Sequence, residues 1–564
     1  MTERPTSRER PFARGYGGAL DGGPETRHSQ GLLLGVAMHP VEQFEFIILL
    51  LVAVIGLQLA ARKLRLPPAA ALVAGGMALA FVPGIPGVAL DPDLVLVLFL
   101  PPLLMDGAYL TVLSDFRRHI AGILSLAVGA VAFTTLVVGV AAHWAVPGLP
   151  WAACFALGAV VSPPDAVAAK AVLERVRLPR RVSVLLEGES LLNDAAGLVL
   201  FRFAVAAALT GTFDAGRAVG TFAVLAVGGV AVGAAFGFTW IKLLRRLGDT
   251  SLMIAGSLLL PWSSYMAGDA VGASGVIATV TAGLIFGWYQ HEIFTAEMRL
   301  KGTAFYQVLV FLLEAFVFVL IGLSLRGVVD RFGGFGPALG ALGGPILAVV
   351  AAVTLARFAW VFANDAAVSA MSRFRRVRIP FSAASCGVMG WAGMRGVVTL
   401  AIALSLPEAM PGRDFILASA FAVILVTVLV QGTSMGWVIR RLKLDAAEER
   451  QGGHLTQAQA MARMTAAQLK AVEALAREPD GTLRHPRLLE QYTYRADVIA
   501  RYADRQEEAA SERREHFSVL LAAAGAGRAE LLKLHRAGRI HDDVLRAIES
   551  SLDLQEVMAA AAGR

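Results

Sequence analysis

Cysteine is nearly missing, with two in 564 residues. That excludes a disulfide scaffold and a cysteine-rich zinc site. Cys154 and Cys386 both lie in apolar runs, where a free cysteine packs as a small hydrophobe. Charge is scarce as well. Asp, Glu, Lys and Arg make up 17% of the chain against 56% hydrophobic residues, and the mean hydropathy is +0.61. A soluble chain of this length needs more charge on its surface. The composition therefore excludes an ordinary water-soluble globular protein and indicates one that crosses a membrane many times. The net charge of +7 does not indicate nucleic acid, because the basic residues sit in short clusters between apolar runs.

Apolar windows follow one another from Phe44 to Arg441, each near the length that spans a bilayer as a helix. They cover 44–61, 67–82, 94–108, 120–142, 151–172, 182–209, 221–244, 251–268, 272–288, 305–325, 337–362, 380–406 and 415–439. The chain reads as an all-α polytopic membrane protein of about thirteen transmembrane helices. An odd number puts the termini on opposite sides. The loops alternate in charge. One set carries clusters such as Arg62, Lys63 and Arg65, or Arg373, Arg375 and Arg376; the other has only Arg217, Arg326, Arg331 and Arg413. Basic loops stay inside, so the C-terminus is expected in the cytoplasm and the protein in the inner (plasma) membrane.

The flanks differ from this region. Residues 1–41 mix Arg with Gly, Pro and Ser without a period and read as a disordered leader, with Met38 as an alternative start. Residues 42–443 form the membrane domain. Residues 444–564 turn polar and read as a cytoplasmic helical domain, with amphipathic helices over 455–477, 486–517 and 526–558. It holds no nucleotide-binding glycine motif. Its histidines His485, His516, His535 and His541 read as incidental surface groups.

Two spans are damaged as helices. Ser162-Pro163-Pro164-Asp165 falls inside the fifth, and proline removes a backbone donor and clashes with the preceding turn. The twelfth carries Gly387, Gly390, Gly393 and Gly396 around Arg395. Broken backbone at membrane depth is tolerated only where protein buries it or it lines a cavity. Interrupted spans at matching places in two halves point to the substrate site of an inverted-repeat transporter. Here one lies seven spans after the other, which suits two six-span halves and a linker span.

The charged residues left within the spans are few, and each costs roughly 2.5–3.5 kcal/mol to insert. Asp194 is the centre of the reading. It lies in Glu187-Gly188-Glu189-Ser190-Leu191-Leu192-Asn193-Asp194, on the sixth span. Ser190 and Asp194 are four apart and share a helix face. Asp165 follows the double proline, where freed backbone groups and half-helix dipoles favour ion binding. Asn193 either offers a neutral oxygen or holds the broken backbone. Glu189 is about 140° round from Asp194 at roughly 100° per residue, so it should point away from the ion and need a cationic partner. Arg357 and Arg395 are the candidates, and each is expected to have a carboxylate. Asp106 and Glu314 are either access-path groups or salt-bridge members. Glu187 is either solvated or on the Ser190 face. Asn364-Asp365 reads as a solvated helix end. An acid in apolar surroundings holds its proton more tightly, and a bound cation displaces it. That competition at one midplane site is sufficient for antiport.

Together these motifs carry a resemblance. Glu-Ser-Leu-Leu-Asn-Asp at 189–194, Ser162-Pro163-Pro164-Asp165-Ala166-Val167-Ala168, Leu100-Pro101-Pro102-Leu103-Leu104-Met105-Asp106, the Arg357 span and Gly393-Met394-Arg395-Gly396 resemble the monovalent cation/proton antiporter-1 family. That family comprises the bacterial NhaP-type and animal sodium/proton exchangers. The resemblance covers about the whole of residues 44–441. It implies the sodium/proton antiporter fold and exchange of Na+, or of K+ or Li+, for H+ by alternating access, with no cofactor and no enzymatic step. It implies Asp194 as the ion- and proton-binding carboxylate, Asp165 and Ser190 beside it, Glu189 paired with Arg357, Asp106 near the cation path, a homodimer, and electroneutral exchange from the Asn-Asp pair. One departure is Pro164, where the family often has Thr; the missing hydroxyl bears on cation preference.

Two other classes are open on the residues alone. An intramembrane aspartyl protease would use Asp165 and Asp194 as its pair. Such enzymes use Gly-x-Gly-Asp, and Gly268-Asp269 here follows Met266 and Ala267. A channel would need a continuous pore. Within antiport, K+/H+ exchange is the runner-up to Na+/H+ exchange.

Overall fold

The computed structural model describes residues 40–64, 66–83, 92–165, 178–212, 215–331, 333–375, 381–442, 457–477, 482–504 and 509–563. Most of the leader, and the end of the fifth window after Asp165, lie outside the described residues. The chain divides into two compact units, Met1–Glu448 and Glu449–Arg564.

Among the described residues the first unit is helical, and each apolar window overlaps helix over at least part of its length. The helices are α1 (Pro40–Leu64), α2 (Pro68–Ala80), α3 (Pro92–Leu110), α4 (Leu113–Ala145), α5 (Trp151–Val161), α6 (Arg180–Thr210), α7 (Ala215–Leu244) and α8 (Thr250–Ala270). Then come α9 (Gly275–Ile293), α10 (Ala296–Leu323), α11 (Leu325–Arg331), α12 (Phe335–Arg375), α13 (Ala383–Trp391), α14 (Val397–Leu404) and α15 (Arg413–Leu442). Among the described residues, seven helices are long and apolar enough to cross a membrane by length and composition.

Proline acts differently at two places. Pro101 and Pro102 lie inside α3 without breaking it. Pro102 has no N–H to offer Leu98, and the Trp262 indole N–H donates to that carbonyl instead, at 3.3 Å. A replacement donor keeps a proline-bearing helix intact in an apolar setting. At Pro163 and Pro164 the helix stops. The glycine-rich twelfth window breaks over a narrower stretch than its four glycines suggest. Gly387 and Gly390 stay helical, and only residues 392–396 are non-helical between α13 and α14.

The two breaks are framed alike. The first lies between α4 and α6, which both pack on α5; the second lies between α12 and α15, which pack on α13 and α14. Two of these frame helices contain a π turn, at Ser125–Ala130 in α4 and Thr427–Gln431 in α15. The Trp360 indole on α12 donates to Ser125 O in the first of them at 3.0 Å.

Away from the breaks, small residues bring backbones together, since lipid supplies no hydrophobic drive between helices. α2 crosses α10 at Gly76 and Gly322. A Cβ on Gly76 would strike the Val319 carbonyl oxygen, and one on Gly322 the Val73 carbonyl oxygen. Both obstacles are backbone, so Gly322→Leu is expected to cost roughly 1–3 kcal/mol by overpacking. Gly340→Ala, with open space around it, should cost nothing. Thermal unfolding of the two variants in detergent checks the contrast.

The second unit holds α16 (Gln457–Leu475), α17 (Pro486–Asp504), α18 (Ala509–Arg536) and α19 (Asp542–Gly563). The helix expected over 526–558 is instead divided between α18 and α19 by a turn at Gly538, whose φ of 68° is in the left-handed region. The turn lets α19 fold back on α18. Arg528 then reaches Glu549 at 3.1 Å, Asp553 at 2.6 Å and Glu556 at 2.9 Å. His535, read as incidental, sits 2.5 Å from Asp542 across the turn. Arg528→Ala is expected to lower the melting temperature of this unit at low salt, with the loss shrinking as NaCl is raised.

Candidate functional site

The site forms where the two breaks meet. Because Pro163 and Pro164 lack N–H groups, the last carbonyls of α5 have no helical partner. Ser162 Oγ donates to Ala159 O at 3.2 Å, and Thr135 Oγ1 from α4 donates to Ser162 Oγ at 3.2 Å. The guanidinium of Arg395 takes two more: Nε donates to Val161 O at 2.8 Å and Nη2 to Ser162 O at 3.2 Å. It also bonds Gly393 O in its own break. The expectation of a carboxylate for Arg395 is corrected here. Among the described residues no carboxylate pairs with it, although it is 1% exposed. Carbonyls at the negative end of α5 take that role, since a cation at a helix C-terminus is stabilised by the dipole and by charge-assisted hydrogen bonds.

Asp165 follows directly. Its backbone N–H donates to Met394 O at 2.7 Å, which ties the first break to the second. Its carboxyl lies against Gly396, the N-cap of α14, where the positive helix end favours an anion. A Cβ at residue 396 would fall inside that carboxyl. Gly396→Ala is therefore expected to displace Asp165 and abolish transport while the protein still folds, checked by reconstituted flux beside a detergent melting curve.

α6 presents the remaining groups. Asn193 is fully buried, and its Nδ2 donates to Pro164 O at 2.5 Å. Of the two roles open to it, holding broken backbone is the one with visible contacts. Glu189 and Arg357 form a bidentate pair at 2.6 and 2.9 Å, with 1% and 3% of the side chains exposed. Arg357 Nε is fixed by Met389 O at 3.0 Å. The α6 faces are less separate than the helical wheel suggests, because Glu189 and Arg357 also border the cavity that Ser190 and Asp194 face.

That cavity has a volume of about 340 Å³. Asp106, Asp165, Glu187, Ser190, Asp194 and Glu314 line it, with apolar walls from Leu100, Leu103, Leu104, Val310 and Val397. Asp194 is 8% exposed. Glu187 meets both readings open to it: it borders the cavity and is exposed. Asp106 and Glu314 are there too. Among the described residues no three His, Cys, Asp or Glu side chains gather closely enough to hold a metal. Six polar or acidic side chains thus share one cavity with apolar walls.

Asn364-Asp365 is corrected. α12 runs on to Arg375, so the pair is helix interior, and Asp365 accepts the Phe381 N–H at 2.7 Å. Trp262 and Thr135 leave no signal along the chain, because their roles depend on neighbours distant in sequence.

Comparison with known proteins agrees with this architecture. Residues 47–441 match the family described as sodium/hydrogen exchanger, transmembrane. The chain is 34% identical over 362 residues to the sodium, potassium, lithium and rubidium/H+ antiporter of Bacillus pumilus, covering 61% of this chain and 53% of that protein. The chain thus spans about half the length of that relative. It is 32% identical over 557 residues to an uncharacterised Na+/H+ exchanger of Mycobacterium bovis, covering 95% of this chain and 98% of the relative. In fold it is similar to the sodium proton antiporter MjNhaP1 of Methanocaldococcus jannaschii, with a TM-score of 0.55 and 21% identity over 71% of this chain and 99% of that one. The chain belongs to the transmembrane sodium/hydrogen exchanger family.

Proposed function

We propose that the protein is a secondary antiporter exchanging Na+ for H+ by alternating access, one for one, with K+ and Li+ as further substrates. The observation that carries this reading is the placement of Asp165 and Asp194 on one cavity at the crossing of two broken helices. A carboxylate there holds either a proton or a cation. Asp194 is the exchanging group, Asp165 and Ser190 stand beside the ion, and Asn193 holds Pro164. Glu189 and Arg357 keep α6 fixed to α12 by their pair. Asp106, Glu187 and Glu314 lead the cation in. Arg395, Pro163 and Pro164 maintain the crossing.

The same reading places the protein in the plasma membrane as a homodimer, with residues 444–564 in the cytoplasm. The basic loops at Arg117 and Arg118 and at Arg245 and Arg246 support that orientation. Pro164 offers no hydroxyl to the ion, which favours a site less selective for one monovalent cation.

The test is transport by purified protein in acid-inside proteoliposomes, with Na+, K+ and Li+ compared across pH. Cation addition should dissipate the pH gradient, Na+ most strongly, without responding to membrane potential. A current without proton coupling would replace the reading with a channel. Peptide cleavage without cation flux would replace it with a protease.

A further inference from the structure

The peptide group between Met394 and Arg395 is held on both sides. Its carbonyl accepts the Asp165 N–H at 2.7 Å. Its N–H donates to Thr427 Oγ1 at 3.0 Å. The Thr427 hydroxyl donates in turn to Val423 O at 2.7 Å. A run of hydrogen bonds therefore passes from the backbone of Asp165, through one planar peptide, to a side chain on α15. The plane is stiff, so turning its N–H turns its carbonyl with it. Bonds in such a run also polarise one another in the same direction.

We propose that Thr427 is a positioning residue of the ion site. Its hydroxyl sets the Met394–Arg395 peptide, and that peptide sets Asp165. The inference rests on the antiport reading above. Thr427 does not reach the cavity: it is 1% exposed and is not among the cavity-lining residues. It acts only through the peptide.

Three features favour this role over simple packing. The hydroxyl is used on both sides, as acceptor from Arg395 and donor to Val423. Residue 395 grips the first break a second time through its side chain, at Val161 and Ser162. A shift of this peptide would therefore disturb both links between the breaks. Thr427 also opens the π turn of α15, and such turns are often found at functional sites because they re-aim side chains. The arrangement has a counterpart at the other break. There Asn193 on α6, the helix after the first break, bonds the backbone of Pro164. Thr427 on α15, the helix after the second break, bonds the backbone of Arg395.

Removing the hydroxyl leaves a buried N–H without its acceptor and frees the peptide to turn. Asp165 then loses its fixed place beside Asp194. Cation affinity suffers first, while the chemistry of Asp194 is untouched.

The experiment measures initial rates against cation concentration in proteoliposomes for wild type, Thr427→Val and Thr427→Ser. The valine variant keeps the shape and loses the hydroxyl. Its KM for the cation is expected to rise about tenfold, the effect of one lost buried hydrogen bond, with Vmax within about twofold of wild type. The serine variant should restore a KM near that of wild type. Ser419→Ala on the same helix is the control: a buried hydroxyl with no hydrogen-bond partner among the described residues, whose loss should leave KM unchanged. A wild-type KM in Thr427→Val overturns the inference, and so does a KM raised equally in Thr427→Ser. If the valine variant does not fold, Thr427→Ala, which fits the same space, is measured against the same outcomes. Wild-type protein without cation-coupled flux would overturn the antiport reading and this inference with it. Wild-type flux with an unaffected valine variant overturns this inference alone.

Discussion

Asp194→Asn is expected to reduce cation-dependent proton flux to that of protein-free liposomes. The amide has nearly the shape of the acid but carries neither a proton to exchange nor a charge to hold a cation. The other acids of the cavity are not expected to substitute for it. Asp165 is fixed against the N-terminus of α14, and Asp106 and Glu314 are carried by other helices of the cavity wall. Folding should survive, because the variant removes a charge from an apolar setting rather than stranding one. A melting curve in detergent beside the flux assay separates the two effects. Residual flux clearly above the blank would mean that another carboxylate carries the proton.

The second large effect concerns stability. Glu189→Gln or Arg357→Leu alone is expected to destabilise the protein by about 3–5 kcal/mol, because each strands a buried charge. Leucine at residue 357 also removes the donor to Met389 O, so that variant should be the worse of the two. Replacing both, as Glu189→Leu with Arg357→Leu, should recover much of the loss, since two apolar side chains need no partner. A double-mutant cycle of melting midpoints measures the coupling. Additive losses would show that the pair does not act as a unit. Arg357→Lys should not rescue, because an ammonium cannot make the bidentate contact while also reaching Met389.

Helices of the membrane unit were legible because their causes are local. Apolarity over about 20 residues and the spacing of Ser190 and Asp194 can be read along the chain. The proline pair at 163–164 announced a break for the same reason, since a missing N–H is a property of the residue itself. Yet Pro101 and Pro102 have the same chemistry and do not break α3. The donor to Leu98 O comes from Trp262, 164 residues away. Nothing near Leu98 in the sequence shows that it will be there.

By itself, then, the sequence determined the helical membrane architecture, the two interruptions and which acids lie within the spans. Each follows from residue type and short-range periodicity. Tertiary structure decided how those acids are held. Arg395 could be recognised as costly to bury, but two of its three side-chain partners are carbonyls 233 and 234 residues distant, left free only because α5 ends where α13 and α14 part. A backbone carbonyl has no residue type and leaves no pattern to read. It becomes a partner for charge only when two breaks cross.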